Sequence, residues 1–262
     1  MNILEEVYAF YEVFDGEKGY IGQSESGKLI PYMRVGSGEV RIVIQYSMHA
    51  REYITAYLAL EHIKYYQKTG IDGSIYFIPL LNPDGVEIAL NNDPLYKANA
   101  LGVDLNVNFD ARWGTGVKNK IEKGSSDYIG EHPFSASESM ALRDFTYKIK
   151  PNMTISYHAK GEEIYFCFHQ KQTLCRDFFI ADAVAKLTGY KIVNPVGSAG
   201  GYKDWCIEKL NIPALTIEVG RDELTHPIEK KYLPEIFSKN KDVPLVALDA
   251  LKKALGDNYA KK

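Results

Sequence analysis

Four short runs of apolar and β-branched residues constrain this chain more than any other feature: VRIVIQYS at 40–47, SIYFIPLLN at 74–82, NMTISYH at 152–158 and PALTIEVG at 213–220. Runs of that length with little polar alternation read as buried strands. Between them lie longer segments with helical spacing. Residues 53–68 place Ile54, Tyr57, Leu58 and the stretch from Leu60 to Ile63 on roughly one face, and residues 173–188 and 230–254 are helical in pattern as well. Strands alternating with helices predict an α/β protein: a single domain over residues 1–262, with a mixed, mostly parallel, twisted sheet covered by helices on both faces. A chain of 262 residues is long enough for one large core. The Gly- and Ser-containing stretch 110–132 reads as a surface loop and not as a domain boundary.

In open α/β sheets, ligands sit outside the carboxyl ends of the strands. The reactive side chains of this chain fall there. The first run leads into His49-Ala50-Arg51-Glu52, the third ends on His158, and the fourth carries Glu218 near its end. Two imidazoles and two carboxylates thus converge on one sheet edge. Zinc accepts neutral imidazole nitrogen and carboxylate oxygen, and a catalytic zinc takes three protein ligands and keeps a fourth position open. His-x-x-Glu alone is a cheap match, and a second copy occurs at His226 and Glu229. That copy contains Pro227 and precedes a helical stretch, so it reads as a loop and helix start. A lone strand-end histidine such as His158 is more often satisfied by a backbone carbonyl than by a metal. Glu218 is harder to dismiss, because a carboxylate inside the apolar stretch LTIEV needs a partner.

Charge and composition exclude several classes. The 31 basic and 34 acidic residues nearly balance, with no basic run that would follow a phosphate backbone, so no nucleic-acid partner is expected. No segment is apolar for the length of a membrane span, and the first twenty residues lack the basic and apolar regions of a secretory signal. Three irregularly spaced cysteines fit reduced thiols. The expectation is a cytoplasmic protein.

The segments HAREY (49–53), NPDG (82–85), GVDLNVNFD (102–110), PFSASES (133–139), SYHAKGE (156–162), GGYKDW (200–205) and TIEVG (216–220), in that order, resemble the zinc carboxypeptidases. The phrasing is nearest the bacterial branch that cleaves γ-D-glutamyl bonds to diamino acids in cell-wall peptides. The resemblance implies one Zn²⁺ per chain held by His49, Glu52 and His158, with Glu218 as the general base. It implies substrate contacts at Arg51 and Asn106, and it places Tyr202 in a segment where the family carries a mobile tyrosine. The implied chemistry is hydrolysis of a small peptide by water that zinc acidifies and a carboxylate deprotonates.

The chain departs from the branch pattern at two positions. Leu101 and Val107 stand where the branch has arginines that grip the substrate's terminal carboxylate. Neither side chain can do that. Lys97 is the first candidate to compensate, with Arg112, Lys160, Lys203 and Arg221 behind it, although a solvated surface charge is the ordinary fate of any one lysine. Two other readings stay open beside the peptidase: a metal-bearing binding protein that has lost its clamp, and an N-acyl amino acid deacylase. Retention of Glu218 favours an enzyme, since a binding module has no use for a general base.

Overall fold

A computed structural model describes residues 1–169, 175–194 and 196–256. Its sheet contains β1 (Lys18–Gln23), β2 (Leu29–Val35), β3 (Arg41–Gln45), β4 (Ser74–Ile78), β5 (Met153–Ala159), β6 (Glu163–Tyr165), β7 (Lys191–Val193) and β8 (Ala214–Val219). They lie in the order β1-β2-β4-β3-β5-β8-β6-β7. The central strands β4, β3, β5 and β8 are mutually parallel, while β2 joins β4 and β6 joins β8 in antiparallel fashion. The four apolar runs are therefore the middle of the sheet, and the expected mixed, mostly parallel architecture is what forms.

Strand periodicity divides the core into two layers. Ile42, Ile44, Ile75 and Phe77 face one side with Ile155 and Ile217, against α2 (Ile54–Thr69), α5 (Cys175–Thr188) and α8 (Val243–Leu255). Val43, Tyr76 and Ile78 face the other, against α4 (Ser137–Ile149) and α6 (Tyr202–Leu210). Outside these layers, α1 (Ile3–Val13) packs Ile3, Leu4 and Val7 on α2 and on Val86 of α3 (Pro83–Asn91). The first helix starts on a reciprocal cap in which the Asn2 side chain accepts from Glu5 N and Glu5 accepts from Asn2 N.

The predicted helix at 53–68 is α2, which ends where Gly70 adopts φ 74° and donates its N–H to Tyr66 O. The helix predicted at 173–188 is α5, its first two residues lying outside the described residues. The stretch 230–254 is not one helix. A short 3₁₀ turn at Lys230–Tyr232 leads into α7 (Leu233–Asn240), and α8 follows after a break. The break has a chemical cause: His62 Nε2 donates to Asn240 O at 2.9 Å and Tyr66 OH donates to Lys241 O at 2.8 Å, drawing those carbonyls towards α2. Pro244 then opens α8, where its missing N–H costs nothing.

Several family-like segments turn out to be scaffold. Asn82 caps α3 by accepting from Gly85 N, and a Cβ at Gly85 would lie 2.3 Å from Ala98 O. Asn108, fully buried, donates to Ile129 O, His132 O and Ser135 Oγ and accepts from Ala136 N. One side chain thereby anchors the PFSASES segment to the end of the 3₁₀ turn Leu105–Val107.

Candidate metal centre

The site lies beyond the carboxyl ends of β3, β5 and β8. His49 and Glu52 bracket a single 3₁₀ turn (Ala50–Glu52) that follows β3, His158 is the sixth residue of β5, and Glu218 is the fifth of β8. Their ligand atoms converge. His49 Nδ1 lies 2.9 Å from Glu52 Oε1, His158 Nδ1 lies 3.0 Å from Glu52 Oε2, and the two Nδ1 atoms are 3.2 Å apart. Edges of that length match the roughly 3.3 Å separation of donors about 2.05 Å from a tetrahedral ion. Two imidazole nitrogens turned on each other need either a shared proton or a cation between them, and all three residues are buried. The set therefore fits a metal ion.

A residue that the sequence reading did not single out orients it. Asp104 Oδ1 accepts from His49 Nε2 at 3.1 Å, which leaves Nδ1 as the free donor, and Asp104 Oδ2 accepts from Lys97 Nζ at 2.6 Å. Burial disfavours charge on His49, but the carboxylates of Glu52 and Asp104 outweigh it and push the imidazole up to about 9. Against their burial, Asp104 is held below the ordinary carboxylate range by His49 and Lys97, and Glu52 by His49 and His158. His158 moves the other way, lowered chiefly by burial. Burial, and then the charge of Glu52, push Glu218 well above the carboxylate range.

Glu218 sits directly opposite His158 on the parallel neighbour and directly opposite Glu163 on the antiparallel one. Opposed residues of a ladder project from the same face, so Glu163 is a second carboxylate on this wall. It accepts the hydroxyl proton of Tyr165, whose partner across the ladder is Thr216. Tyr165, Thr216 and Glu218 line a cavity of about 400 Å³ together with His49 and Asn106. The alternating pattern of GEEIYF was the available signal for Glu163 and Tyr165. Asp104 lies within the GVDLNVNFD segment, but only the fold brings it to His49.

Two expected substrate residues are placed differently. Tyr202 is wholly buried, with its hydroxyl 2.8 Å from Thr146 Oγ1 and its ring against Phe109 and Trp205, so it belongs to the core beneath the cavity. Lys97 lines the cavity, but its ammonium is held between Asp104 and Asp127 at 2.6 and 2.7 Å and is not a free clamp. Asn106 lines the cavity. Arg51 is partly exposed in the turn between the two ligands, and its Nε is enclosed without a hydrogen-bond partner among the described residues. Of the two missing arginines, Val107 is part of the cavity wall, whereas Leu101 is 49% exposed and does not line it. The second His-x-x-Glu copy is a loop, with Glu229 immediately before the 3₁₀ turn that precedes α7.

Residues 17–242 match the zinc carboxypeptidase family. This chain belongs to that family. Among zinc carboxypeptidase relatives, gamma-D-glutamyl-L-diamino acid endopeptidase 1 of Lysinibacillus sphaericus is 28% identical over 271 residues, covering 88% of this chain and 66% of its own length. The chain thus spans about two thirds of that relative. The fold is shared with bovine thrombin-activatable fibrinolysis inhibitor, solved in complex with tick carboxypeptidase inhibitor (TM-score 0.86, 22% identity, 95% of this chain and 97% of that one). It is also shared with murein-tripeptide amidase MpaA from Escherichia coli O157 (TM-score 0.64, 20% identity, 93% and 95%). A zinc carboxypeptidase is a metalloenzyme, and the buried His49, Glu52 and His158 are the group among the described residues that could hold the ion. No described helix is long and apolar enough to cross a membrane.

Proposed function

We propose that this chain is a zinc peptidase that hydrolyses an amide bond of small peptides, with γ-D-glutamyl peptides of diamino acids as the substrate class, residues 1–262 acting as one catalytic domain. The observation that carries it is the convergence of His49 Nδ1, Glu52 and His158 Nδ1 within 3.2 Å, with Glu218 on the adjoining strand facing the same cavity. The relative from Lysinibacillus sphaericus supports the substrate class.

In this reading His49, Glu52 and His158 are the zinc ligands, and Asp104 fixes the tautomer of the first. When bound, zinc supplies Lewis acidity, polarising the scissile carbonyl and making water a nucleophile near neutral pH. Glu218 takes the proton from the attacking water and passes it to the leaving amine, which suits a carboxylate whose proton affinity burial has raised. Arg51, in the turn between His49 and Glu52, and Asn106, on the cavity wall, are the proposed substrate contacts. The balanced charge and the unpaired thiols of Cys167, Cys175 and Cys206 support a cytoplasmic setting.

The test is metal analysis followed by product analysis. Purified protein should carry about one zinc per chain, and His158→Ala should lose most of it. The zinc-loaded protein, incubated with γ-D-glutamyl tri- and tetrapeptides, should release the diamino acid or a fragment beginning with it, identified by mass. Zinc retained in full by His49→Ala and His158→Ala would overturn the ligand assignment.

A further inference from the structure

Three segments remote in sequence meet at Glu138, in the first turn of α4. Its side chain is wholly buried, and no cation pairs with it among the described residues. Burial pushes its carboxyl up to about 7. A carboxyl group in that setting costs stability unless its hydrogen bonds offset the loss of water. Its Oε2 accepts from Asn99 Nδ2 at 2.8 Å, and its Oε1 accepts at 3.4 Å from the backbone N of Glu25, in the turn between β1 and β2. Glu25 in return accepts from Ser137 N at 2.7 Å, so that turn and the start of α4 hold each other.

Asn99 is wholly buried as well, and the rest of its amide is committed. Its Oδ1 accepts from Leu101 N and from Val103 N, both at 3.0 Å. An amide has one oxygen and one NH₂, so the orientation that serves those two N–H groups turns Nδ2 towards Glu138. The reverse orientation would set the NH₂ against two donors. Asn99 also closes the turn through its backbone, accepting from Gly102 N and donating to Val103 O, each at 3.0 Å. This turn is the middle of segment 97–104, whose two ends rest on the ligand-bearing turn: Ala50 N donates to Lys97 O at 2.9 Å, and His49 Nε2 donates to Asp104 Oδ1 at 3.1 Å. Asp104 follows Val103 directly. The backbone that Asn99 clasps therefore sets where the Asp104 carboxylate stands relative to His49.

Resting on the ligand assignment proposed above, we infer that Glu138 is a positioning residue for the metal centre: by fixing the amide of Asn99 it fixes the turn that delivers Asp104 to His49. It acts through Asn99 and Asp104, and not by contact with the ion.

The experiment measures zinc affinity by competition with a chelator, and stability of the metal-free protein by urea unfolding. Glu138→Ala should weaken zinc binding at least about tenfold, the lower end of what losing an outer partner of a ligand costs. Glu138→Gln, which keeps an acceptor for Asn99, should stay within about threefold of wild type. In an Asn99→Ala background, where the link is already cut, adding Glu138→Ala should change the affinity by less than about twofold. Thr146→Val is the control for a weakened α4: it removes buried bonds to Leu142 O and Tyr202 on the same helix's packing face, and should bind zinc as wild type does. Zinc affinity within about threefold of wild type in Glu138→Ala, no rescue by Glu138→Gln, an equal loss in Thr146→Val, or an undiminished effect in the Asn99→Ala background overturns the inference. Should Glu138→Ala fail to fold, Glu138→Leu, closer in volume and equally unable to accept a hydrogen bond, carries the same expectation. If His158→Ala keeps its zinc, the ligand assignment has failed and not the role of Glu138. That role is then read by NMR from the Nε2–H of His49 in the metal-free protein, which should exchange with solvent at least about tenfold faster in Glu138→Ala than in wild type; equal rates overturn the inference.

Discussion

Replacing Asp104 by asparagine separates what holds the metal from what holds the fold. Asp104 is 1% exposed and makes three bonds: from His49 Nε2 at 3.1 Å, from Asn106 N at 2.9 Å and from Lys97 Nζ at 2.6 Å. Asparagine is nearly isosteric, so its oxygen can still accept from His49, but the negative charge that raises the imidazole's basicity is gone. Loss of such a partner lowers metal affinity by about 10–100-fold, or ~1.4–2.7 kcal/mol. The second effect falls on Lys97, which keeps Asp127 but now meets an amide where a carboxylate was; breaking one side of a buried ion pair costs about 3 kcal/mol of stability. Adding Lys97→Met to Asp104→Asn removes the stranded ammonium. The double variant should therefore regain much of the stability while its zinc affinity stays low. Affinity is measured by competition with a chelator, and stability by urea unfolding of the metal-free protein. Zinc affinity within threefold of wild type in the single variant, alongside reduced stability, would show that Asp104 supports the fold alone.

Glu218→Gln should keep zinc and fold but lower turnover by several orders of magnitude, and wild-type-like kcat would place the base elsewhere. In the metal-free protein His49 is raised from 6.5 to about 9, so its contribution is complete below pH 6.5 and is lost as pH climbs through about 9. Unfolding free energy should accordingly fall by on the order of 3 kcal/mol across that window, and zinc binding at pH 7.5 should release about one proton; calorimetry in buffers of different ionisation enthalpy that shows no release would refute this. Tyr202→Phe should cost about 1 kcal/mol of stability through the lost bond to Thr146 and leave kcat/KM within twofold, whereas a large kinetic effect would return Tyr202 to the site. With Val107 in place of an arginine on the cavity wall, a C-terminal amide should be cut within about tenfold of the free acid, or ~1.4 kcal/mol, and a thousandfold rejection would reveal a terminal-carboxylate clamp.

The parts of this molecule that sequence reveals are those whose physics is local. The four central strands announced themselves because burial on both faces demands continuous apolar residues. β6 and β7, three residues each, and the partly exposed β1 carry no such pattern. α1 carries its own local signal in the reciprocal cap of Asn2 and Glu5. In the site, His49, Glu52, His158 and Glu218 were legible because strand ends and motif order mark them. Motif order gives place but not direction, however. Tyr202 occupies the expected segment at the start of α6, yet Phe109 and Trp205 supply an aromatic pocket that turns it inward. His62 illustrates the converse: a buried histidine on α2, bonded to Tyr46 and Asn240 and pushed down to about 4 by burial, is one that only the fold identifies as structural.

The pairing of His158 with Glu218 across neighbouring strands ties a proposed ligand to a proposed base through the backbone, not through flexible side chains. Their Cα atoms are held about 4.8 Å apart by the ladder, whatever the loops around them do. Lengthening the connection from α6 to β8 should therefore be tolerated by the chemistry, since it leaves the pairing intact. Adding a single residue inside β8 ahead of Glu218 is a different matter. A one-residue slip sends every side chain of that strand to the opposite face, burying a carboxylate against α2 and α5 and leaving the ligands with no base. The hydrogen-bonded register is thus as much a part of the active centre as the side chains it aligns.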